Sequence, residues 1–506
     1  MRASRRLFAA IGAAALVASA SGVVLGAAPA IGSAATKTTT TTPSASLSWH
    51  SCDKKFRCAR LQVPIDYQAP SKGSLSLALV ELPSTSAHPV GDLLMNPGGP
   101  GGSGVQFLEQ NPFPASLRHL FNLVSWDPRG VGASDPIHCV GTATMRRLIG
   151  LNPAPTTPAE VAQVVKATKS FVHQCTAHTP KLLLENVGSI QTIQDMNRIR
   201  LALGETKLNY LGFSYGTYLG ELYAARYPTH IRAMALDGVV DPALNTVTSD
   251  VQQAQGFETD LKAFFAWCPT NKACTSELPQ GAKNAYDSLF GAFAHGRTIP
   301  AQLPVKFGGL QQVNLGVAEV ALAGSMYSRQ SWPDLAQALQ QGLAGNGIDL
   351  IAIAYSYEGL QANGTFDNEL AAEVATDCVD RPSPTKLSTY KTLSDQMARV
   401  APDFGASEAW GSLTCAYWPV KPQATPHPIT AKGAPPILLV GSTADPATPY
   451  RWAQAVAHQL AHAVLLTRQG PGHTGYFFST CIQADVNRYL ATLKLPAPGT
   501  VCPTTS

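Results

Sequence analysis

Three residue types, far apart in the chain, could together activate a hydroxyl. Ser214 sits in Gly212-Phe-Ser-Tyr-Gly216, a match to G-x-S-x-G. A serine hydroxyl is a weak nucleophile until a base takes its proton, and that base needs an acid to orient it. Two later segments offer the pair: Gly441-Ser-Thr-Ala-Asp445-Pro-Ala-Thr448 and Gly470-Pro-Gly-His473-Thr-Gly475. Asp445 is expected to orient His473, and His473 to accept the Ser214 proton. Thr448 is expected to brace the acid's loop or to cap a helix. Acyl transfer also needs two donors on the acyl oxygen. One is expected from the N–H of Tyr215. The other is expected from Gly99, with Gly98 as the close alternative, in Asn96-Pro-Gly98-Gly99-Pro-Gly101-Gly102-Ser-Gly104. A phosphate loop is a poor reading of that stretch, because no lysine follows its glycines.

The elements that must position these groups are legible in outline. Leu208 to Phe213 is apolar and aromatic, as a buried parallel strand is. Thr217 to Arg226 has good helix formers, and Tyr227-Pro228 ends the helix. Strand, sharp turn and helix give the serine pattern its meaning. Further strands are predicted at 59–63, 75–82, 92–95, 123–126, 231–236, 436–440 and 463–467, and a helix over 190–203 closed by Gly204. Each candidate residue then follows a strand. The spacing predicts an α/β-hydrolase fold: a mainly parallel sheet with helices on both faces, its site at the carboxyl ends of the strands. Residues 49–240 and 420–506 are read as the core. The Ala/Gln-rich stretch 241–419 is read as an inserted helical cap.

The chain has 506 residues, 45% hydrophobic and 14% charged, with a formal net charge of +4. Arg2, Arg5 and Arg6 carry three of those charges. The remaining balance gives no electrostatic case for nucleic acid or an anionic membrane. Met1 to Arg6 is basic and Leu7 to Ala30 is apolar, with small residues at Ala28-Pro-Ala30 and Ser33-Ala-Ala35. Residues 1–35 therefore read as an export signal, with a retained anchor as the alternative, and 36–48 as a Thr/Ser-rich spacer. Secretion is expected. The ten cysteines fit an oxidising destination. Pairing of sequential neighbours is expected: Cys52–Cys58, Cys139–Cys175, Cys268–Cys274, Cys378–Cys415 and Cys481–Cys502. No clustered Cys/His spacing suggests a metal, and neither metal nor cofactor is expected.

Four blocks carry a resemblance. Asn96-Pro-Gly-Gly-Pro-Gly101 resembles the H-G-G-P-G loop of proline iminopeptidases, and Trp126-Asp-Pro-Arg-Gly-Val-Gly-Ala-Ser134 resembles their D-x-R-G-x-G-x-S segment. With Gly212 to Gly220 and the block holding Asp445-x-x-Thr-Pro and Gly472-His473, the chain resembles the secreted tripeptidyl aminopeptidases of actinobacteria. The resemblance runs from about Trp49 to Cys502 and is weakest in the insertion. Asn-Pro replaces the His-Gly opening of the first loop, so proline specificity does not carry over. The resemblance implies a serine exopeptidase releasing short peptides, often tripeptides, from free amino termini. Its partners would be peptide substrates. A carboxylate must then hold the substrate ammonium; Glu358, Asp377 and Asp380 are the candidates. Arg129 is expected to brace the loop beside the oxyanion donors. The rival readings are a secreted esterase or lipase with the same triad, and a binding module on an inactive hydrolase fold.

Overall fold

The computed structural model describes residues 47–504 except Lys54 and Pro112. The expected export signal and most of the spacer lie outside the described residues. The strands, in chain order, are β1 (His50–Asp53), β2 (Phe56–Pro64), β3 (Ser74–Leu82), β4 (Gly91–Asn96), β5 (Phe121–Trp126), β6 (Leu208–Phe213), β7 (Ile231–Asp237), β8 (Ile299–Gln302), β9 (Leu310–Val313), β10 (Ile437–Ala444), β11 (Ala463–Pro471) and β12 (Val501–Cys502). Ten of them form one sheet in the order β1-β2-β3-β5-β4-β6-β7-β10-β11-β12. The ladders from β5 through β12 are parallel, and β1, β2 and β3 add an antiparallel edge. This is the α/β-hydrolase arrangement.

Strand side chains alternate between two apolar layers, as the period of two requires. Leu94, Val124, Tyr210, Leu236 and Leu439 enter one core. Leu93, Met95, Leu123, Leu211 and Leu438 enter the core on the opposite face. Both faces are therefore covered, and the central strands can afford continuous apolar runs.

Between β7 and β10 the chain is mostly helical, from Thr246–Trp267 to Ser412–Tyr417. This stretch builds a third core around Phe257, Leu261, Phe264, Trp332, Leu339 and Ile351. The sequence shows no strand rhythm here, yet β8 and β9 form a small antiparallel hairpin. Four residues per strand is too short for a period of two to stand out. The five disulfides pair as expected. Among the described residues no helix is long and apolar enough to cross a membrane.

Candidate functional site

The candidate residues gather at the carboxyl ends of the parallel strands. Ser214 follows β6, the glycine-rich loop follows β4, Asp445 follows β10, and His473 lies just past β11. Ser214 has φ 52° and ψ −126°, a region a non-glycine residue seldom adopts. The turn is possible because glycines stand two residues to either side. A Cβ at Gly212 would come 2.5 Å from Gly216 O, and one at Gly216 would come 2.7 Å from Asn96 O. The Ser214 N–H donates to Asp237 O at 2.9 Å, which fastens the elbow to β7. The helix Tyr215–Arg226 starts at once, so its first N–H groups and positive dipole end lie beside the serine.

The glycine-rich loop packs on this elbow. A Cβ at Gly98 would lie 2.7 Å from Tyr215 N and 3.0 Å from Ser214 Cβ. The Gly98 N–H is engaged, donating to Asn96 Oδ1 at 2.9 Å. That leaves Gly99 as the candidate second donor. Asp127, not Arg129, ties the loop down: its carboxylate accepts from Ser103 Oγ at 2.5 Å, Val105 N at 3.1 Å and Ala133 N at 2.8 Å. Arg129 instead makes a buried bidentate pair with Asp195, 2.7 Å on each arm, and donates to Ile65 O and Asn186 O. It braces the helix Ser189–Ala202 against the end of β2.

His473 Nδ1 lies 2.8 Å from Asp445 Oδ1. The same carboxylate accepts from the backbone N–H groups of Ala447, Thr448 and Thr474 at 3.1, 2.8 and 3.0 Å. These donors fix the carboxylate in place. The Thr448 hydroxyl lies 3.3 Å from His473 Nδ1, while Pro449 occupies the N-cap of the next helix. Burial works against a charge on His473, but Asp445, by charge and hydrogen bond, outweighs it and raises the imidazole's pKa. His473 Nε2 is buried and has no hydrogen-bond partner among the described residues, Ser214 Oγ included.

Asp237 gives no signal of its own in the sequence beyond ending a strand. Its buried carboxylate takes the N–H groups of Gly475 and Tyr476 at 2.7–3.0 Å, so it anchors the histidine's loop. Burial pushes its pKa up to about 6, against the pull of those donors.

Ser214, Gly99 and Tyr215 line a cavity of about 630 Å³ roofed by the helical stretch. Glu358 and Asp377 also line it, as do Asp250, Glu319, Glu373 and Glu408; among the described residues Arg381 is the one cationic side chain in the lining. Burial pushes Glu358, Glu319 and Glu408 up to about 7, and Asp377 up to about 6 with Arg381 pulling it back. Glu373 and Asp250 are driven well above the usual carboxylate range, first by burial and then by neighbouring acids. Asp380 stands apart. It accepts from the Tyr215 hydroxyl and from Ser189 N, and it is not part of the lining.

A strained serine on a strand–helix turn, a donor-rich loop beside it, and a carboxylate-bound imidazole at the same sheet edge define a hydrolase of the α/β class. Residues 401–502 match the family described as TAP-like protein. The serine protease Hip1 of Mycobacterium tuberculosis is 34% identical over 453 residues, covering 88% of this chain and 87% of that one. A carboxylesterase B from the same species is 33% identical, covering 90% and 89%. The tripeptidyl aminopeptidase of Streptomyces lividans is 30% identical, covering 90% and 87%. The chain belongs to the tripeptidyl aminopeptidase-like family of serine hydrolases.

Proposed function

We propose that the chain is a secreted serine exopeptidase that releases short peptides, tripeptides above all, from free amino termini. The carrying observation is the cavity: the candidate nucleophile opens into a chamber walled by six carboxyl groups and one arginine. A chamber of that charge suits a substrate that brings a cation, and the α-ammonium is the cation every free amino terminus has.

In this reading Ser214 Oγ attacks the scissile carbonyl while His473 Nε2 takes its proton. Asp445 holds the Nδ1–H and stabilises the imidazolium. The N–H groups of Tyr215 and Gly99 receive the developing oxyanion, each worth about 10²–10³ in kcat. His473 then protonates the leaving amine, and water repeats the sequence to release the acyl group. Glu373 is assigned as the main ammonium ligand. The charges acting on it are those of Asp377, Glu369, Glu358 and Glu408, all of which raise its pKa. An arriving cation relieves more repulsion there than beside Asp377, which Arg381 already offsets.

The experiment compares free-amino and N-acetylated tripeptide arylamides on the wild-type chain and on Ser214→Ala, with product lengths read by mass spectrometry. Turnover of the free-amino substrate alone, lost in Ser214→Ala with unchanged thermal melting, is the expected result. Equal turnover of blocked and free substrates would remove the aminopeptidase claim. Turnover of simple acyl esters with every arylamide inert would favour the esterase reading, which the carboxylesterase relative keeps in view.

A further inference from the structure

The helix Thr246–Trp267, at the start of the helical insertion, touches both loops that carry the proposed acid and base. At Gly256 its backbone abuts the acid's loop: a Cβ there would come 2.4 Å from Pro446 O and 3.0 Å from Asp445 O. One turn earlier, Gln253 Nε2 donates to Ala447 O at 2.7 Å. One turn later, Asp260 Oδ2 accepts from Gly472 N at 3.1 Å, an N–H shared with Ala444 O at 3.0 Å. The insertion reaches the base's loop a second time through Tyr327, whose carbonyl accepts the His473 N–H at 2.9 Å. The Tyr327 ring stands edge-on to the imidazole, 5.3 Å between centroids.

Asp260 is an expensive residue to keep where it is. It is fully buried, and its Oδ1 has no hydrogen-bond partner among the described residues. Burying a polar oxygen with no partner is costly. Phe257, Leu261 and Phe264 of the same helix pack into an apolar core, and the Gly472 N–H is the one hydrogen-bond donor to the Asp260 carboxyl among the described residues.

We propose that Asp260 is a positioning residue for His473, acting through the Gly472 N–H that precedes the imidazole. The proposal rests on the triad reading above. Asp260 touches no reacting atom. It supplies a fixed acceptor that sets the height of the Gly472-His473 backbone over the sheet edge, and so the direction of Nε2. The insertion thereby forms part of the catalytic frame as well as the roof of the cavity.

The test uses the full chain and four variants: Asp260→Ala, Asp260→Asn, Asp260→Ser and His473→Ala. Each is measured for kcat, KM, thermal melting and the rate of Ser214 labelling by a small fluorophosphonate. Asp260→Ala is expected to lower kcat and the labelling rate about tenfold or more, with KM within about twofold, since a small displacement of a catalytic group has effects of that order. Asp260→Asn keeps an oxygen in the same place and is expected to regain most of both. Should the alanine variant fail to fold, Asp260→Ser, too short to reach Gly472, carries the same expectation. Wild-type kcat and labelling in the alanine or serine variant would overturn the proposal. So would an asparagine variant as poor as alanine, or a rise in KM with kcat unchanged. His473→Ala separates the two levels: retained labelling there sinks the triad itself. Loss there with wild-type behaviour in Asp260→Ala sinks only the role of Asp260.

Discussion

The hydroxyl of Tyr215 ends on the carboxylate of Asp380, so the residue proposed to offer the first oxyanion N–H is tied by its side chain to the helical stretch between β7 and β10. Asp380 also accepts the Ser189 N–H at 2.8 Å. Its role here is to hold, and it is not free to meet a substrate. Replacing it with alanine leaves the buried Ser189 N–H unpaired, at about 1–3 kcal/mol, and leaves the buried Tyr215 phenol with Ser189 Oγ, 2.9 Å away, as its partner. Asp380→Ala is therefore expected to lower the melting temperature by several degrees. KM for a free-amino tripeptide arylamide should stay within about twofold. A KM raised tenfold or more at normal stability would return Asp380 to the list of ammonium ligands.

Glu373 should behave in the opposite way. It lines the cavity, and the neighbouring charges that act most strongly on it are all acidic. Glu373→Gln keeps the shape and removes the charge. A charge-assisted hydrogen bond contributes about 1.5–3 kcal/mol, so KM for a free-amino substrate should rise roughly 10- to 100-fold with kcat nearly unchanged. Melting temperature should hold or rise, because one of several mutually repelling acids has been removed. Steady-state kinetics on matched free-amino and N-acetyl substrates check this. An equal effect on both would mean that Glu373 serves packing, not recognition.

The parts of the site that repeat a local rule were legible in the sequence. Continuous apolar runs marked β6, β7 and β10, and glycines two residues either side of Ser214 marked a turn too tight for any side chain. The positions of Asp445 and His473 followed from their place after strands. The acid chamber was not legible, because Asp250, Glu319, Glu373 and Glu408 sit on four different helices. Only tertiary packing brings them together. One signal was present: Glu319 is the sole charged residue in Leu315–Met326, an otherwise apolar helix with no solvated face to carry it. Asp237 and Asp260 were invisible for another reason. Each acts by accepting backbone N–H groups of a loop more than two hundred residues away, and no spacing records that.

The buried acids make stability depend on pH with a definite sign. Asp237 and Asp377 titrate at about 6, and Glu319, Glu358, Glu369 and Glu408 at about 7, all raised chiefly by burial. Unfolded carboxyls titrate near 4. Between those values the folded chain binds more protons than the unfolded one, so stability falls as pH rises. The raised pKa of His473 acts in the same direction at higher pH. The melting temperature should therefore decline from pH 5 toward pH 8, which a thermal-shift series in matched ionic strength would read. A flat or rising profile from pH 5 to 8 would show that these groups are not held protonated.

The same groups set how substrate binding couples to protons. Near pH 7 several cavity acids are partly protonated, because burial and their neighbours disfavour the charge. An ammonium group entering the chamber favours the ionised form and lowers those pKa values. Binding should then expel protons. With Ser214→Ala, titration calorimetry of a free-amino tripeptide amide at pH 7 in buffers of different ionisation enthalpy should show net proton release. An N-acetylated ligand should show none. The activity profile follows: kcat/KM should climb through about pH 7 as the cavity acids lose protons, then fall near pH 8 as the substrate's α-amine, with an ordinary pKa of about 7.7–8.0, becomes neutral. For any substrate without an amine the alkaline limb should vanish. An alkaline limb that persists with such a substrate would assign it to the enzyme and detach the acid chamber from amino-terminus recognition.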